Sequence, residues 1–588
     1  MFELITPLLT AAGLHNPELE MLSMDAELYS SLLFQPREEL SYADDHIRIT
    51  NTQRALHKFT EFFNLAFNRN VALALTPEYS CPTAVVASLF VNQILPQENK
   101  IWIIGGASIK ARELQNLLDA NPDVCWFLET QLVAHNLDNN FFFNPVYHVF
   151  QTRRVADNQL QIAVVIQFKT HHLGGPALEW ERDNLIKGRR IYVFENEGES
   201  IRMVTINCAD IFNPRAQLTL LPQFINTPYL IIHIQLNPEP NNPNYCSYRR
   251  NIYELGRENK EFLCLNWARN LRMMNIHPWN LYGGSGIYMK PNPGELNLSD
   301  PRMINNDRKG LYYTRWKDRY ADVYFFNYEE YVFEYRNKKI SQLNAGLPAR
   351  RRSGPEMLNT YQWNEANQAW EQQNPCSAGF DLACDALHSV GDYAVVRALH
   401  DVSPVDVERL VYLSNGKALK ADWQKPFNIS YFGIDDREII GRITVTQNPD
   451  EVMAEFRQDY LMNLGSLEYE VIILAKHFPR SISNLKGNCI IGYRMAGNED
   501  DFHWNLYPAD GTGAPATGIY LGTKTPEYAA DIFNKMVETF TKAEDGKRVV
   551  VWYRDAGGRL KKKYALAKPK FTDNTKKSGR SIKTGRRR

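Results

Sequence analysis

The chain has 588 residues, enough for two to four domains, with zero formal net charge and 44% hydrophobic residues, enough for large cores. No run of about 18 apolar residues is present, and the first twenty residues lack the basic start and the cleavage site of an export signal, so we expect a cytoplasmic protein without membrane contact. The eight cysteines are scattered and form neither a disulfide framework nor a zinc pattern.

Residues 1–45 are predicted to form a short helical extension. At its end, SYADDHIRI contains a Tyr-x-Asp-Asp string like that of reverse transcriptase active sites. A polymerase also needs a third carboxylate on an upstream strand, and fewer than fifty residues precede the string. Asp44 and Asp45 are therefore interpreted as loop or cap residues.

Residues 46–325 combine helical and strand patterns in one α/β domain. TQRALHKFTEFFNLAF has apolar residues at helical spacing and predicts a helix that packs on a sheet. The apolar runs VALAL, IAVVIQF and IRMVTIN predict buried strands, and they are followed closely by Glu78, Lys169 and Cys208. Since sites in open α/β sheets form beyond the carboxyl ends of strands, we expect these side chains to share one site.

A carboxylate, an ammonium and a thiol are the groups that acyl transfer through cysteine requires. Glu78 would take the proton of Cys208, deliver it to the departing nitrogen and later activate water against the thioester. Lys169 and the backbone N–H of Ala209 would stabilise the oxyanion. The lysine and a turn at the nucleophile are also expected to lower the pKa of the thiol.

The surroundings of these residues resemble the nitrilase, or carbon–nitrogen hydrolase, superfamily. Its members carry, in this order, a Glu in Pro-Glu after a strand, a Lys in a K-x-H-L-like segment and a Cys in C-x-D-x-x-x-P. The matching positions here are Pro77 and Glu78, Lys169 and His171, and Cys208, Asp210 and Pro214. The family's second glutamate, in E-x-x-x-L-x-x-G, matches Glu181 in ERDNLIKG. The resemblance thus implies a catalytic set of Glu78, Lys169, Glu181 and Cys208.

Two later segments resemble the family as well. YRRNIYELGRENKEFLCLNWARN is similar to a helix and a strand that end at an asparagine, here Asn266. GGSGIYMKP is similar to the strand that follows, with Ser285 and Pro291. By resemblance, Asn266 and Ser285 are expected to bind substrate. Ala209 and Phe212 depart from the family, which usually has an aromatic residue and an arginine there.

The resemblance implies a four-layer αββα sandwich over residues 46–325. It also implies hydrolysis of a non-peptide, amide-type bond in a small molecule, without metal or organic cofactor, by a homodimer or larger oligomer. His171 and His172 have no partner at zinc spacing and are interpreted as cleft or surface residues. Nitrilase-like modules also occur attached to bacterial antiviral reverse transcriptases, so a role in antiviral defence is a further hypothesis.

The remainder is predicted as a linker region over residues 326–375, an α+β domain of unassigned function over 376–557 and a basic, disordered tail over 558–588. Seven apolar runs of the α+β domain predict strands and two longer patterns predict helices. The strand runs are YAVVRAL, RLVYL, NISYFGI, EIIGRITVT, YEVIILAKHF, NCIIGYRMA and RVVVWYRDA. The helical patterns are EVMAEFRQDYLMNL and EYAADIFNKMVETFTKA.

The tail from Arg559 to Arg588 has thirteen Lys or Arg against one acidic residue, Asp573, a formal charge of +12. Such a segment can bind phosphate backbones, although it can also act only as a solubilising tail or an internal tether. Two alternatives to an enzyme therefore stay open. One is a non-catalytic nitrilase-like scaffold or sensor, and the other is a nucleic-acid-binding defence component guided by the tail.

Overall fold

The protein forms two compact units in the computed structural model. The first unit spans residues 1–380 and 428–449, and the second spans 381–427 and 450–588. The structure describes residues 2–23, 28–43, 46–172, 179–196, 198, 201–213, 228–238, 242–255, 260–273, 284–289, 301–316, 321–338, 354–373, 394–397, 399, 404–417, 428–429, 443–444, 451–473, 478–492, 504–540 and 542–565.

The described part of the first unit contains both strands and helices. The strands are β1 (Phe2–Leu4), β2 (Leu28–Gln35), β3 (Glu39–Ala43), β4 (His46–Ile49), β5 (Leu73–Leu75), β6 (Ile101–Gly105), β7 (Ile109–Lys110), β8 (Cys125–Phe127), β9 (Phe142–Phe143), β10 (Pro145–Arg153), β11 (Leu160–Phe168), β12 (Ile191–Glu195), β13 (Arg202–Asn207), β14 (Tyr229–Ile234), β15 (Lys260–Leu265), β16 (Arg272–Met273), β17 (Gly286–Met289), β18 (Leu311–Trp316), β19 (Ala321–Phe326), β20 (Tyr331–Lys338), β21 (Glu356–Asn364), β22 (Ala369–Gln372) and β23 (Asn428–Ile429). The helices are α1 (Thr6–Ala11), α2 (Thr52–Arg69), α3 (Thr83–Val91), α4 (Ala111–Asp119), α5 (Thr130–Ala134), α6 (Glu179–Asn184), α7 (Pro243–Leu255) and α8 (Pro301–Arg308).

Two nine-stranded mixed sheets build the first unit, which confirms the predicted α/β class. One sheet has the order β1-β12-β13-β14-β15-β17-β19-β18-β23, and the other β22-β21-β20-β2-β5-β6-β10-β11-β8. Strands β13, β14 and β15 are parallel to each other, as are β2, β5 and β6. Because β11 is antiparallel to β10, which is antiparallel to β6, β5 and β11 end at the same edge of their sheet.

The predicted helix after residue 50 is confirmed as α2. The Asn51 side chain caps it by accepting a hydrogen bond from the Arg54 N–H at 3.1 Å, and the helix stops where Asn70 turns left-handed at φ 52°. Its apolar stripe is buried against the second sheet at Phe59 and Phe63, whereas Phe67 near the end of the helix is 39% exposed. The helical spacing therefore gave both the element and its buried face.

Residues 1–45 differ from the expected helical extension. Among the described residues of this segment, α1 is the only helix, whereas β1 pairs with β12 and β2 lies between β20 and β5 in the middle of a sheet. Leucine has a high intrinsic helix propensity, but LYSSLLFQ is buried on both faces of β2, and tertiary burial outweighs propensity. Asp44 and Asp45 lie outside the described residues.

The described residues of the expected linker over residues 326–375 form strands instead. Strands β20, β21 and β22 of this segment extend the second sheet, with β20 paired along the whole of β2. The polar composition of NTYQWN looked like a linker because β21 lies near the sheet edge, where part of a strand faces water.

The described elements of the second unit are α9 (Ala394–Arg397), α10 (Pro404–Ser414), α11 (Glu451–Ser466), α12 (Pro526–Val537), α13 (Ala543–Gly546), β24 (Cys489–Ile491), β25 (Leu506–Pro508), β26 (Thr517–Thr523), β27 (Val549–Arg554) and β28 (Leu560–Tyr564). A π-helix over Leu467–Ile473 and a 3₁₀ helix over Arg480–Leu485 complete the set. The sheet β26-β27-β28 packs against α12 through residues such as Ile519, Val551 and Phe533.

Helices α11 and α12 and strands β24 and β27 confirm four of the predictions for this segment of the chain. NISYFGI begins with β23, which belongs to the first unit, and most of EIIGRITVT lies outside the described residues. YAVVRAL, RLVYL and YEVIILAKHF are wrong as strands, because they overlap α9, α10 and the π-helix. A short apolar run does not separate a buried strand from a buried helix. The better signals were the flanking Pro404 and Gly416, since proline begins α10 and Gly416 follows it at φ +66°.

Candidate active site

Glu78 lies three residues beyond β5 on a segment fixed from two sides. Gly105 of β6 lies so close that an added Cβ would stand 2.0 Å from the Pro77 carbonyl oxygen, so only glycine fits there. The indole N–H of Trp267 donates to the Glu78 carbonyl oxygen at 2.8 Å. The carboxylate of Glu78 is therefore presented by a rigid backbone.

Lys169 directly follows β11, and Asp210 holds the residues behind it. Oδ1 of Asp210 accepts hydrogen bonds from the Thr170 N–H at 2.7 Å, the Thr170 hydroxyl at 3.0 Å and the His171 N–H at 2.9 Å. Burial raises the pKa of Asp210 to about 7, although the bonds from Thr170 act in the opposite direction. Asp210 thus connects the lysine segment to the turn that carries Cys208.

Cys208 follows β13 and begins a 3₁₀ turn over Cys208–Phe212. Its φ of 40° is unusual for a residue with a Cβ and marks a strained backbone, as is common where a reactive side chain is presented. Burial lowers the pKa of His233 to about 3, so the ring is neutral. Its Nε2 donates to the Cys208 carbonyl oxygen at 3.0 Å while Nδ1 accepts from Gln235 at 2.7 Å. This chain of hydrogen bonds supports the turn.

The three strand ends bring the predicted catalytic residues together. The Lys169 ammonium lies 2.7 Å from Oε1 of Glu78 and 2.5 Å from Oε1 of Glu181, and the exposed fractions of the three side chains are 1 to 2%. Further donors to the carboxylates are the Tyr79 hydroxyl to Glu181 at 2.7 Å, the Asn144 amide to Glu78 at 2.7 Å and the Leu236 N–H to Glu78 at 2.9 Å.

Charges within this buried cluster determine its protonation. Burial acts to lower the pKa of Lys169, but the Glu181 and Glu78 charges outweigh it, so the pKa is raised and the ammonium stays charged. Burial and the Glu181 charge raise the pKa of Glu78, opposed by Lys169 and by a hydrogen bond with Cys208. A carboxylate with a raised pKa is a better proton acceptor, as general-base chemistry requires.

The expectation of a lowered thiol pKa at Cys208 is wrong. Burial and the Glu78 charge raise the pKa of Cys208 well above its ordinary value, and Lys169 opposes them without prevailing. Cys208 is therefore a thiol at rest, and its proton has to leave as the reaction proceeds. Ala209, the expected oxyanion donor, is the next residue of the turn and is fully buried.

Asn266 and Ser285, which were expected to bind substrate, hydrogen-bond to neighbouring strand ends. The Asn266 side chain accepts from the Asn237 N–H at 3.0 Å and donates to the Asn237 carbonyl at 2.7 Å. Ser285 donates to Gln35 at 2.5 Å and accepts from the Asn266 N–H at 3.0 Å. Since Asn237 follows Leu236, whose N–H binds Glu78, these two residues position the site.

His171 and His172 stack on each other at 5.1 Å, and His171 lies 6.4 Å from the ring of Phe212. Burial lowers the pKa of both histidines.

In the described residues, no group of three or more His, Cys, Asp or Glu is arranged to hold a metal ion. Pro214 and Pro291 of the family-like segments lie outside the described residues.

Sequence reasoning missed several residues of the site. Tyr79, Asn144, Leu236 and Trp267 act through hydrogen bonds to the carboxylates or to the Glu78 backbone, and the Tyr245 hydroxyl lies 3.4 Å from the Cys208 sulfur. Tyr79 could have been noticed because it follows Glu78. The others occupy separate loops and a helix, where no spacing relates them to the catalytic set.

No protein-family model and no curated protein matches the sequence. Among solved structures, an amidase from Nesterenkonia sp. matches with a TM-score of 0.26 and 12% identity, over 44% of this chain and 81% of the amidase. A glutamine-dependent NAD(+) synthetase from Cytophaga hutchinsonii matches with a TM-score of 0.25 and 9% identity, over 44% of this chain and 38% of the synthetase. Likenesses this distant assign no family.

Across the part of the chain that the structure describes, no helix is both long enough and apolar enough to cross a membrane.

Proposed function

We propose that this protein is a hydrolase that cleaves a non-peptide, amide-type carbon–nitrogen bond of a small molecule through a thioester on Cys208. The observation that carries the proposal is the convergence of Glu78, Lys169, Glu181 and Cys208 in one buried cluster. Each residue type is common alone. A charged ammonium between two carboxylates, beside a thiol on a strained turn, is a set that acyl transfer uses.

In the first half of the reaction, the sulfur of Cys208 would attack the substrate carbonyl while its proton passes to Glu78. The ammonium of Lys169 and the N–H of Ala209 would stabilise the oxyanion, and each such donor contributes roughly 2.7 to 4 kcal/mol in comparable sites. Glu78 would then give its proton to the nitrogen. The carbon–nitrogen bond breaks, ammonia or an amine leaves, and the acyl group stays on the sulfur.

In the second half, Glu78 would take a proton from water as the water oxygen attacks the thioester. Collapse of the second oxyanion releases the carboxylic acid, and the proton on Glu78 returns to the Cys208 sulfur. Glu181 would keep the Lys169 ammonium in place through both halves, since it contacts the ammonium at 2.5 Å and is itself held by Tyr79. The cycle needs no component beyond protein, substrate and water.

We also propose a nitrilase-like four-layer αββα arrangement for the first unit. Helices α2, α3 and α4 share a core with the second sheet, and α7 shares one with the first. Side chains of the two sheets contact each other, as between Tyr29 and Glu261 at 2.8 Å and between His148 and Thr205 at 2.9 Å. These contacts support the order helix, sheet, sheet, helix.

The proposed activity can be tested with a panel of amides, including aliphatic and aromatic primary amides and N-carbamoyl amino acids. Ammonia release by the wild type is compared with that of Cys208→Ala and of Cys264→Ala. Cys264 is a suitable control because it is a buried cysteine of the same core. We expect release by the wild type and Cys264→Ala and none by Cys208→Ala. Release by folded Cys208→Ala would contradict a mechanism through Cys208, whereas no release by the folded wild type on any amide would favour the scaffold or sensor alternative.

The charge of the C-terminal segment favours a second role, contact with nucleic acid or another polyanion. The strand β28 already presents the exposed side chains of Lys561 and Lys563, and nine further Lys or Arg follow it. A cluster of this kind binds phosphate backbones without sequence preference. We propose that this segment holds the enzyme near a polyanionic partner.

A further inference from the structure

Tyr245, in the first turn of α7, lies against the reacting atom of the proposed nucleophile. Its hydroxyl oxygen is 3.4 Å from the sulfur of Cys208, within the range of a hydrogen bond to sulfur. The residue is 3% exposed, so water does not compete for this hydroxyl. The sequence alone did not identify Tyr245 as a residue of the site.

The ring of Tyr245 is held so that its hydroxyl stays at the sulfur. It lies edge-on to Phe212, with centroids 5.1 Å apart, and stacks on His233 at 6.1 Å. Phe212 belongs to the Cys208 turn, and His233 donates to the Cys208 carbonyl oxygen. Both neighbours are thus tied to the nucleophile, and the hydroxyl is preorganised towards it.

The direction of the hydrogen bond follows from the charges. Once Glu78 has taken the proton, the sulfur carries a negative charge and has no hydrogen to donate. Burial, and to a smaller extent the charge of the nearby Cys208, raises the pKa of Tyr245 well above its ordinary value. The phenol therefore keeps its proton. The O–H is then the donor and the thiolate the acceptor.

We propose that Tyr245 is a further catalytic residue, whose hydroxyl donates a hydrogen bond to the Cys208 thiolate formed when Glu78 takes the thiol proton. This rests on the proposed function, in which Cys208 is the nucleophile. Tyr245 transfers no proton in this step: the S–H bond breaks, the O–H bond forms on Glu78, and the phenol O–H stays intact. The donor offsets the burial and the Glu78 charge that oppose the thiolate.

Hydrogen bonds to charged groups contribute enough to change the thiolate population roughly 10- to 100-fold. The Tyr245→Phe variant removes only the hydroxyl. Tyr248→Phe is a matched control, because Tyr248 lies one turn further along the same helix, is buried and packs on the same His233 at 6.3 Å. Each variant therefore removes one hydroxyl from a buried tyrosine whose ring lies against His233.

The test is the rate at which iodoacetamide labels Cys208 at pH 7, read by peptide mass spectrometry, with thermal melts as the folding control. Labelling of Cys208 should slow roughly 10- to 100-fold in Tyr245→Phe, whereas Tyr248→Phe should match the wild type, with half-buried Cys125 as the internal standard.

A Cys208 labelling rate in Tyr245→Phe equal to that of the wild type overturns the inference, as does an equal slowing in Tyr248→Phe. Failure of the proposed function has a different signature, since it is turnover that survives in Cys208→Ala. The two failures are therefore read from separate measurements on separate variants.

Discussion

The ammonium of Lys169 lies 2.7 Å from Oε1 of Glu78, and each of these side chains is 1% exposed. Glu181 contacts the same ammonium from 2.5 Å, so one buried cation is shared by two carboxylates. Breaking a buried ion pair by removing one partner is strongly destabilising, because the other charge is left without compensation. The stability of the first unit and its proposed chemistry therefore depend on the same three side chains.

Replacing Lys169 with methionine should lower the free energy of unfolding by about 3 to 5 kcal/mol at pH 8. The loss should be smaller at pH 5. Without the lysine, burial and the Glu181 charge raise the pKa of Glu78 with no ammonium to oppose them, so folding favours protonated Glu78 and stability falls as the pH rises. Urea unfolding at both pH values measures the difference.

Lys535→Met is the control, since Lys535 forms an exposed pair with Asp531 at 2.6 Å. Exposed pairs contribute about 0 to 1 kcal/mol, so its effect should be small and nearly independent of pH over this range. A Lys169→Met loss as small as the control, or equal at pH 5 and pH 8, would contradict the shared ion pair.

Asp210→Asn should become more stable relative to the wild type as the pH rises, whereas Lys169→Met should become less stable. The pKa of Asp210 in the folded protein is about 7, above the ordinary value of an aspartate. The wild type therefore loses stability as the pH rises from that ordinary value to about 7. An asparagine stays neutral. From pH 5 to pH 8 the variant should gain about 2 to 3 kcal/mol relative to the wild type, because a tenfold change in proton binding is worth about 1.4 kcal/mol.

The measurement is urea unfolding of both proteins at pH 5, 6, 7 and 8. Asp183→Asn is the control, because Asp183 pairs with Arg182 on the surface and its side chain is 58% exposed. Parallel stability curves for the wild type and Asp210→Asn would contradict the assignment of this titration to Asp210.

Asn266→Ala tests whether Asn266 positions Glu78 or binds the substrate. The substitution removes the two hydrogen bonds that the Asn266 side chain makes with the Asn237 backbone and loosens Leu236, which donates to Glu78. We expect kcat to fall roughly tenfold with little change in KM, since a lost hydrogen bond costs about 1 kcal/mol. Steady-state kinetics on an amide found in the panel measures both constants. A raised KM with an unchanged kcat would instead restore the predicted role in substrate binding.

Removing residues 566–588 should flatten the salt dependence of polyanion binding, because nine Lys or Arg are lost with one acidic residue. This truncation retains β28, whereas removal from Arg559 onward would also delete a strand of the sheet. Retention of DNA and RNA is measured from low to high salt. Lys535→Gln controls for the loss of a surface charge elsewhere. An unchanged slope would place any polyanion contact outside these residues.

The meeting of the candidate catalytic side chains could be predicted from the sequence because Glu78, Lys169 and Cys208 each closely follow a short apolar strand. Glu78, Lys169 and Cys208 meet because β5, β11 and β13 bring their carboxyl ends together. The role of β2 could not be predicted in this way. Its leucines suit a helix equally well, and only its pairing with β20 and β5 determines the outcome.

The protonation state of Cys208, the proposed nucleophile, also could not be predicted from the spacing of residues in the sequence. A neighbouring lysine predicted a lowered thiol pKa, but complete burial and the Glu78 charge act more strongly in the opposite direction. Tyr245 was missed for a related reason, since its approach to Cys208 depends on how α7 packs on the sheet. Both properties arise from the three-dimensional environment of one sulfur atom.

The most direct test of the proposed mechanism is mass spectrometry of the protein, acid-quenched during turnover of an amide from the panel. We predict an added acyl mass on the peptide that contains Cys208, removed by hydroxylamine as expected of a thioester and absent from Cys208→Ala, which should also release no ammonia. Ammonia release that continues in folded Cys208→Ala would contradict the proposed mechanism.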